Sequence, residues 1–258
     1  MKQKAGIFCG HGKSQDGSWD CGTVYKDEDE AALMLPMTKA FAKYMRSAGI
    51  TVVTDADSDN NMNMIAQVAK ANREKTEVFI SLHCDYYKAP SGTMPLYVSK
   101  EGKKLAKCLN DAVMERMGMK TRGLTKRTDL YELTATDMPA CIFETGSIKA
   151  DLKRLKDAKD YGFALAMGLC QYLGVDMVFD VKTRGKLIVR KTSLLASPKL
   201  RYLERDKTYR IIKTNKKGTR GKLAQGGWIT ITDKYVKILQ RRRKSVHRVH
   251  KKVLHCTG

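Results

Sequence analysis

Apolar strands alternate with helical periods over residues 5–174 of this 258-residue chain. Buried strands are predicted at residues 5–9, 50–54, 78–82, 94–99 and 140–144. Apolar residues recur at helical spacing from residue 30, from residue 64, around residues 105–117, and over residues 152–173. Strands that alternate with helices form a mostly parallel sheet with helices on both faces. The first part of the chain is therefore predicted to be an α/β layer.

Beyond residue 176 the helical period disappears. Short strands are predicted at residues 186–189, 209–212, 228–231 and 235–238, separated by polar or Gly-rich links such as Lys217-Gly218. Such a segment predicts a small β-barrel. The last 18 residues are too basic and too poor in apolar side chains to build a core, so a disordered arm is expected. The predicted parts are residues 1–176, 177–240 and 241–258.

Positive charge is concentrated in the second part of the chain. Residues 181–258 carry 24 Lys and Arg against 3 Asp and Glu, whereas residues 1–180 carry 25 against 24. This asymmetry predicts that the C-terminal part meets a polyanion. Basic charge with interleaved aromatic residues also suits a nonspecific nucleic-acid binder. No apolar run approaches the roughly 20 residues that a membrane span needs, so no membrane partner is expected.

The N-terminus and the cysteines indicate the compartment. Residues 1–5 lead into a strand pattern without an apolar signal region, so synthesis in the cytoplasm is expected, and any action outside requires another route of release. The seven cysteines are odd in number and form no Cys-x-x-Cys pair. Reduced, structural thiols are predicted rather than a disulfide framework or a cysteine-based zinc site.

Three predicted strands end in a group that could bind or serve a metal. His11 follows the first strand, His83 follows the strand at 78–82, and Glu144 ends the strand at 140–144. A fourth candidate, Glu30, opens the first helix. The carboxyl ends of parallel strands meet at one edge of a sheet, which would bring these residues together. Two His and a carboxylate make a zinc site with room for water, and a further Glu can serve as general base, which suggests metal-assisted hydrolysis.

Taken singly, each candidate also has an ordinary interpretation. A lone His at a strand end is more often solvated or hydrogen-bonded than a ligand, and Glu28 with Asp29 suits a solvated helix start. Glu144 is harder to explain in this way, because an unpaired buried carboxylate is costly. Three further histidines fall in the basic arm and are interpreted as spectators: His247, His250 and His255.

The candidate residues belong to short motifs that follow one another in a particular order. The motifs are Gly10-His11-Gly12, Asp20-Cys21-Gly22, Glu30, Ser81-Leu82-His83 and Pro139-Ala140-Cys141-Ile142-Phe143-Glu144. In this order they resemble the zinc-dependent N-acetylmuramoyl-L-alanine amidases of the type called amidase 3. Asp20-Cys21-Gly22 stands where that family usually has Asp-Pro-Gly. The resemblance covers about residues 5–174.

The resemblance implies a role for each site residue. His11, Glu30 and His83 would be the Zn²⁺ ligands, and Glu144 would be the catalytic acid/base. Because Glu30 ends an acidic run, Glu28 is the alternative carboxylate ligand.

The substrate is also implied by the resemblance alone. It would be the amide that joins the lactyl group of muramic acid to L-Ala in peptidoglycan. Arg127 is a candidate substrate-binding residue that would help to stabilise the oxyanion. A zinc peptidase acting on another amide is the alternative.

The C-terminal part resembles a bacterial SH3-type cell-wall-binding domain. The resemblance rests on Leu187-Ile188-Val189-Arg190, Gly226-Gly227-Trp228-Ile229 and Tyr235-Val236-Lys237-Ile238. It implies peptidoglycan of a Gram-positive-type wall as partner, with anionic wall polymers as a further partner of the basic surface. A hydrolase joined to one wall module, without a signal peptide, resembles a phage endolysin that reaches the wall after release. A host autolysin and a nucleic-acid-binding protein are the alternatives.

Overall fold

The computed structural model describes residues 3–58 and 61–239. Within them the strands are β1 (Lys4–Cys9), β2 (Gly12–Lys13), β3 (Trp19–Asp20), β4 (Val24–Tyr25), β5 (Glu28–Asp29), β6 (Thr51–Val53), β7 (Phe79–Asp85), β8 (Met94–Tyr97), β9 (Thr125–Lys126), β10 (Ala140–Ser147), β11 (Phe179–Thr183), β12 (Leu187–Arg190), β13 (Lys199–Leu203), β14 (Thr208–Thr214), β15 (Arg220–Leu223), β16 (Trp228–Thr230) and β17 (Val236–Leu239). The helices are α1 (Glu30–Ser47), α2 (Met64–Glu74), α3 (Lys100–Met117), α4 (Tyr131–Thr134), α5 (Leu152–Leu155) and α6 (Ala158–Leu173), with a 3-10 turn at Ala56–Ser58.

The first half of the chain forms a six-stranded sheet in the order β6-β1-β7-β10-β8-β9. Four neighbouring strands, β6, β1, β7 and β10, are parallel. β8 runs antiparallel to β10, and β9 is parallel to β8. The chain reverses between β7 and β8 through a short link, whereas a parallel neighbour needs a longer crossover. The predicted, mostly parallel sheet is confirmed.

Helices cover both faces of this sheet. On one face, α1, α3 and α6 contribute Phe41, Leu109 and Phe163 to a buried apolar cluster. On the other face, α2 and α4 contribute Val68 and Leu133 to a second cluster. Successive residues of a strand point to opposite faces, so each apolar strand supplies both clusters. The α/β layer with helices on both faces is confirmed.

The single helix predicted over residues 152–173 is wrong in one respect, because the structure divides it into α5 and α6. The division falls at Asp157, which is the N-cap of α6. Its carboxylate accepts a hydrogen bond from the backbone N–H of Asp160. A side chain that satisfies a free N–H in this way favours a new helix start.

The second half forms a seven-stranded, antiparallel sheet in the order β13-β12-β16-β15-β14-β11-β17. This confirms an all-β C-terminal part. Closure into an SH3-like barrel and the boundaries at residues 176 and 240 stay predictions. The basic tail predicted at residues 241–258, with its histidines, lies outside the described residues.

α3 and α6 lie between the two sheets. The ring of Phe163 on α6 meets that of Phe179 on β11 edge to face, with ring centroids 5.3 Å apart. Arg116 at the end of α3 donates a hydrogen bond to the carbonyl oxygen of Gly218, in the turn between β14 and β15. The C-terminal sheet is therefore in contact with the helical layer of the first.

The sequence predicts that the chain has no membrane span and that its cysteines are reduced. Over residues 3–58 and 61–239, none of the helices has both the length and the hydropathy of a membrane span. The described cysteines are free thiols: Cys9, Cys21, Cys84, Cys108, Cys141 and Cys170.

Candidate metal centre and active site

The topology of the parallel strands brings the sequence-predicted residues to one edge. Glu144 on β10 is directly opposite His83 on the neighbouring strand β7. His11 lies two residues beyond the end of β1, which is the other neighbour of β7. Glu30 is the first residue of α1. Residues separated by more than 130 positions in the sequence thus meet because their strands are adjacent and parallel.

His11, Glu30 and His83 form one compact cluster. The Nε2 atom of His11 lies 3.2 Å from Oε2 of Glu30, and Nδ1 of His83 lies 3.1 Å from Oε1 of the same carboxylate. One ligand atom from each residue can be chosen so that all lie within 4.8 Å of one another. The cluster offers two imidazole nitrogens and a carboxylate oxygen, the donor set of hydrolytic zinc sites.

Glycines make room for this close approach. A Cβ atom on Gly10 would lie 2.4 Å from the ring of His83. A Cβ atom on Gly22 would lie 2.6 Å from both the His11 ring and the Glu30 carboxylate. His11 itself has φ 60°, a left-handed conformation that its neighbour Gly12 continues with φ 128°. The space beside Gly10 is thus filled by the second imidazole, that of His83.

The Glu30 carboxylate is buried and held by the backbone. It accepts hydrogen bonds from the N–H groups of Thr23 at 3.1 Å and Cys84 at 2.9 Å. Burial opposes ionisation, but the contacts with His11 and His83 outweigh it and lower the pKa of Glu30 to about 2. Glu30 is therefore an anion at neutral pH.

Glu28, the alternative carboxylate, lies elsewhere. It belongs to β5 and forms an ion pair with Lys156. The carboxylate that the structure brings to the two imidazoles is that of Glu30.

Each imidazole of the cluster has a second carboxylate on its outer nitrogen. Oδ2 of Asp20 lies 2.8 Å from Nδ1 of His11. Oε2 of Glu132 lies 3.7 Å from Nε2 of His83, which is an ion-pair distance but too long for a hydrogen bond. Burial opposes protonation of both rings, yet the surrounding carboxylates raise the pKa of His11 and raise that of His83 well above its ordinary value.

Glu132 is a site residue that sequence reasoning missed. It lies on the four-residue helix α4 and is buried. A helix this short leaves no period in the sequence, so the only signal was an acidic residue between Tyr131 and Leu133. The sequence indicates Asp20 only as part of the motif Asp20-Cys21-Gly22 and assigns no role to it.

Glu144 lies beside the cluster with a free oxygen. Its Oε2 atom is buried and has no hydrogen-bond partner in the described part of the chain. Burial raises the pKa of Glu144 to about 7, against the opposing effect of His83, while Glu30 and Asp85 raise it further. Asp85 is itself paired with Arg122, whose Nη1 lies 2.7 Å away. Glu144 can therefore accept and release a proton near neutral pH.

An open cleft of about 520 Å³ gives access to the cluster. His11, His83 and Glu132 lie along it. The link between β2 and β3 and the start of α2 contribute further lining residues: Lys13, Ser14, Gln15, Asp16, Ser18, Met62, Asn63, Met64, Ile65 and Gln67. The link between His11 and Glu30 thus forms part of the wall of the cleft.

Arg127 is not brought to the cluster. It follows β9, at the edge of the sheet beyond β10 and β8. Its guanidinium donates two hydrogen bonds to Asp129, at 2.8 and 2.6 Å, and is partly exposed. A substrate-binding role for Arg127 stays a prediction.

The residues fit a zinc ion. An anionic carboxylate and two imidazoles converge, and each outer imidazole nitrogen faces a carboxylate of the kind that orients metal-binding histidines. The α/β sheet carries this donor set at the ends of its parallel strands, beside a buried Glu and an open cleft. This combination is typical of metal-dependent hydrolases. Residues 6–169 match the family described as N-acetylmuramoyl-L-alanine amidase, amidase 3. The chain belongs to this family.

One solved amidase and two curated sequences are similar to this chain. The amidase AmiC2 of Nostoc punctiforme superposes with a TM-score of 0.60 and 26% identity, over 67% of this chain and 98% of that one. An uncharacterised 38.4 kDa protein of Clostridium perfringens is 30% identical over 69% of this chain and 54% of its own length. The endolysin of Bacillus phage SPP1 is 28% identical over 56% of this chain and 54% of its own length. The match thus spans about half the length of these last two relatives.

Proposed function

We propose that this protein is a zinc-dependent N-acetylmuramoyl-L-alanine amidase that hydrolyses the amide between the lactyl group of muramic acid and L-Ala in peptidoglycan. The observation that carries the proposal is the cluster of His11, Glu30 and His83 within 4.8 Å, with Glu144 opposite His83, in a chain of this family. The choice of this amide over other amides rests on the family.

The protein would hold Zn²⁺ through Nε2 of His11, Nδ1 of His83 and the Glu30 carboxylate. When bound, the ion would act as a Lewis acid that lowers the pKa of a water molecule and polarises the scissile carbonyl. Asp20 and Glu132 would fix the orientation of the two rings from behind.

Glu144 would be the general base and then the general acid. Its free, buried oxygen can accept the proton of the attacking water, because nothing in the described residues competes for it. The protonated Glu144 can then deliver that proton to the leaving amine of L-Ala. In the metal-free protein burial raises the pKa of Glu144 to about 7, so its carboxylate is a stronger base than that of an exposed glutamate.

The decisive experiment identifies the bond that is cut. Purified peptidoglycan digested by the protein should yield new N-terminal L-Ala without new reducing sugar ends. New reducing ends would indicate a glycosidase, and a different N-terminal residue would indicate a peptidase.

A conservative variant tests the mechanism. Glu144→Gln should retain zinc but release no stem peptide, because the amide side chain cannot accept the proton of water. Glu28→Gln is a matched control that removes a nearby carboxylate outside the cluster, and it should retain both zinc and activity. Ordinary activity of Glu144→Gln would contradict the role assigned to Glu144.

The biological role proposed is that of a phage endolysin, made in the cytoplasm and acting on the wall after release, with its C-terminal part as an SH3-like wall-binding domain. The similarity to the SPP1 endolysin supports this role. A bacterial autolysin with the same activity is the alternative. Fractionation of producing cells distinguishes them, since an endolysin should stay in the cytoplasm until the membrane is permeabilised.

A further inference from the structure

A row of four basic residues and one tryptophan crosses five adjacent strands of the C-terminal sheet. Lys199 on β13 is directly opposite Arg190 on β12, which is opposite Trp228 on β16. Trp228 is in turn opposite Lys222 on β15, and Lys222 is opposite Lys213 on β14. We call these five residues the cationic row. Because neighbouring strands lie about 4.8 Å apart, the row extends over about 19 Å, at right angles to the strands.

The cationic row lies on the outer face of the sheet. Residues next to it in sequence, Val189, Leu223 and Ile229, point to the opposite face and are buried. Its lysines are exposed, and Arg190 and Trp228 are half-buried. The row is thus open to a partner, with one aromatic ring at its centre.

The charges of the row are not neutralised within the described protein. The ion pairs of this sheet use other cations: Arg210 binds Asp180, and Lys182 and Arg205 bind Asp206. Like charges placed directly opposite each other on neighbouring strands destabilise a sheet. The pairs Lys213–Lys222 and Arg190–Lys199 have this unfavourable arrangement.

A buried arginine adds charge to the same face. Arg220 is paired with Thr230, two residues along β16 from Trp228, and is only 5% exposed. Its guanidinium donates to two neutral oxygens, those of the Thr230 hydroxyl and the Trp228 carbonyl, and its buried Nε has no partner among the described residues. A buried cation without an anion is costly, so this face favours a negatively charged ligand.

We infer that the cationic row binds a linear, phosphodiester-linked anionic polymer of the cell wall, which lies across the strands with Trp228 against its repeating units. The inference rests on the proposed wall function. Charge complementarity supports it, since the phosphates of the polymer would face the pairs of cations on either side of Trp228 and relieve their mutual repulsion.

The same surface is less suited to nucleic acid. Single strands are bound by several aromatic rings on which successive bases stack. The row offers one such ring, Trp228. The nearby Tyr202 is exposed, but the ammonium groups of Lys199 and Lys186 already lie against its ring, at 3.7 and 4.7 Å from the centroid.

Binding is tested by co-sedimentation with purified walls. The protein used is the full chain with the substitution Glu144→Gln, so that the walls are not digested during the measurement. It should sediment with walls that keep their phosphodiester polymers and bind at least 10-fold more weakly to walls from which these polymers have been removed. Equal binding to both preparations would overturn the inference.

A triple variant locates the site. Arg190→Gln, Lys199→Gln and Lys222→Gln together should weaken binding to intact walls at least 10-fold and lower the slope of log affinity against log salt by roughly 2–3. The control removes three exposed lysines of the same half that lie outside the row, Lys207→Gln, Lys234→Gln and Lys237→Gln, and should change binding less than threefold. Equal losses in the two variants would show that net charge, and not the row, determines binding.

Two further measurements separate this inference from its alternatives. The triple variant with Glu144 intact should release stem peptides from soluble peptidoglycan fragments at the normal rate, so a failure of the amidase proposal would be seen independently. Single-stranded DNA of matched charge should compete with intact walls at least 10-fold less effectively than the purified wall polymer. Competition by DNA at equal or lower concentration would assign the row to nucleic acid instead.

Discussion

At the scale of single residues, the candidate site is an alternation of carboxylates and imidazoles. Glu30 lies between the two rings, and Asp20 and Glu132 lie behind them. The inner carboxylate is a metal ligand in our proposal, and the outer ones fix which nitrogen of each ring faces inward. The inner carboxylate would therefore act on the metal directly, and the outer ones would act on it through the two rings.

The outer carboxylates should control zinc affinity. Asp20→Asn and Glu132→Gln are each expected to weaken zinc binding by about 10-fold, because the ring loses the partner that orients it and increases its basicity. Competition with a chromophoric chelator measures the affinity without reference to activity. Asp16→Asn is the control, since Asp16 lines the same cleft but bonds only Ser18. Unchanged affinity in both variants would show that the rings are oriented by other contacts.

Glu144 should make the stability of the metal-free protein depend on pH. Its pKa is raised from 4.5 to about 7 by burial, so folding favours the protonated form. Below pH 4.5 both states are protonated and there is no penalty. As pH rises from 4.5 to 7, the unfolded chain ionises first and the folded state loses stability relative to it, by about 3 kcal/mol above pH 7.

The substitution Glu144→Gln isolates this pH dependence, because an amide side chain does not ionise. Metal-free Glu144→Gln should gain free energy of unfolding relative to the wild type as pH rises from 5 to 8. Urea denaturation at each pH measures the difference. Glu115→Gln, on the exposed side of α3, should show no such trend. A constant difference for Glu144→Gln would contradict the raised pKa.

At the scale of elements, periodicity predicted most of the first sheet and its long helices, because both faces of each strand and one face of each helix are apolar. It did not predict β13, because four of its five residues are exposed and its apolar residues therefore do not mark a buried face. The ligand candidates were predictable because they follow apolar strands. Glu132 was not, because its position depends on a short helix that packs over β10 and on the ion pair with His83.

One hydrogen-bonded link joins α2 to the strand that precedes His11. The amide nitrogen of Gln67 lies 2.7 Å from the carbonyl oxygen of Cys9 and 2.7 Å from Oδ2 of the buried Asp55. The same carboxylate accepts a bond from the backbone N–H of Met62. This link fixes the end of β1 against one wall of the cleft.

Removal of the amide should therefore be destabilising. Gln67→Met keeps the size of the side chain but leaves a buried carbonyl and a buried carboxylate with fewer donors, which costs about 1–3 kcal/mol. Urea denaturation measures the loss. Gln171→Met, on the exposed face of α6, should change the free energy of unfolding by less than about 0.5 kcal/mol. Equal effects of the two substitutions would mean that the link contributes nothing specific.

At the scale of the whole molecule, a nearly neutral catalytic half is joined to a strongly cationic half. The contact between them is built on α3 and α6, which cover the face of the first sheet and meet the second. Arg116 is central to it. Its guanidinium binds Asp160 at 2.5 Å, lies 4.9 Å from the ring centroid of Phe163, and donates to the carbonyl oxygen of Gly218.

Arg116→Met should weaken this contact and separate the unfolding of the two halves. The substitution keeps an apolar stem against Phe163 but removes the bonds to Asp160 and Gly218, for an expected loss of about 2–3 kcal/mol. Differential scanning calorimetry should show one transition for the wild type and a broadened or divided transition for the variant. Arg73→Met, on the exposed side of α2, is the control and should leave the transition unchanged. If Arg116→Met also unfolds in one transition at the wild-type temperature, the bonds of Arg116 contribute little and the halves are joined by their apolar contacts.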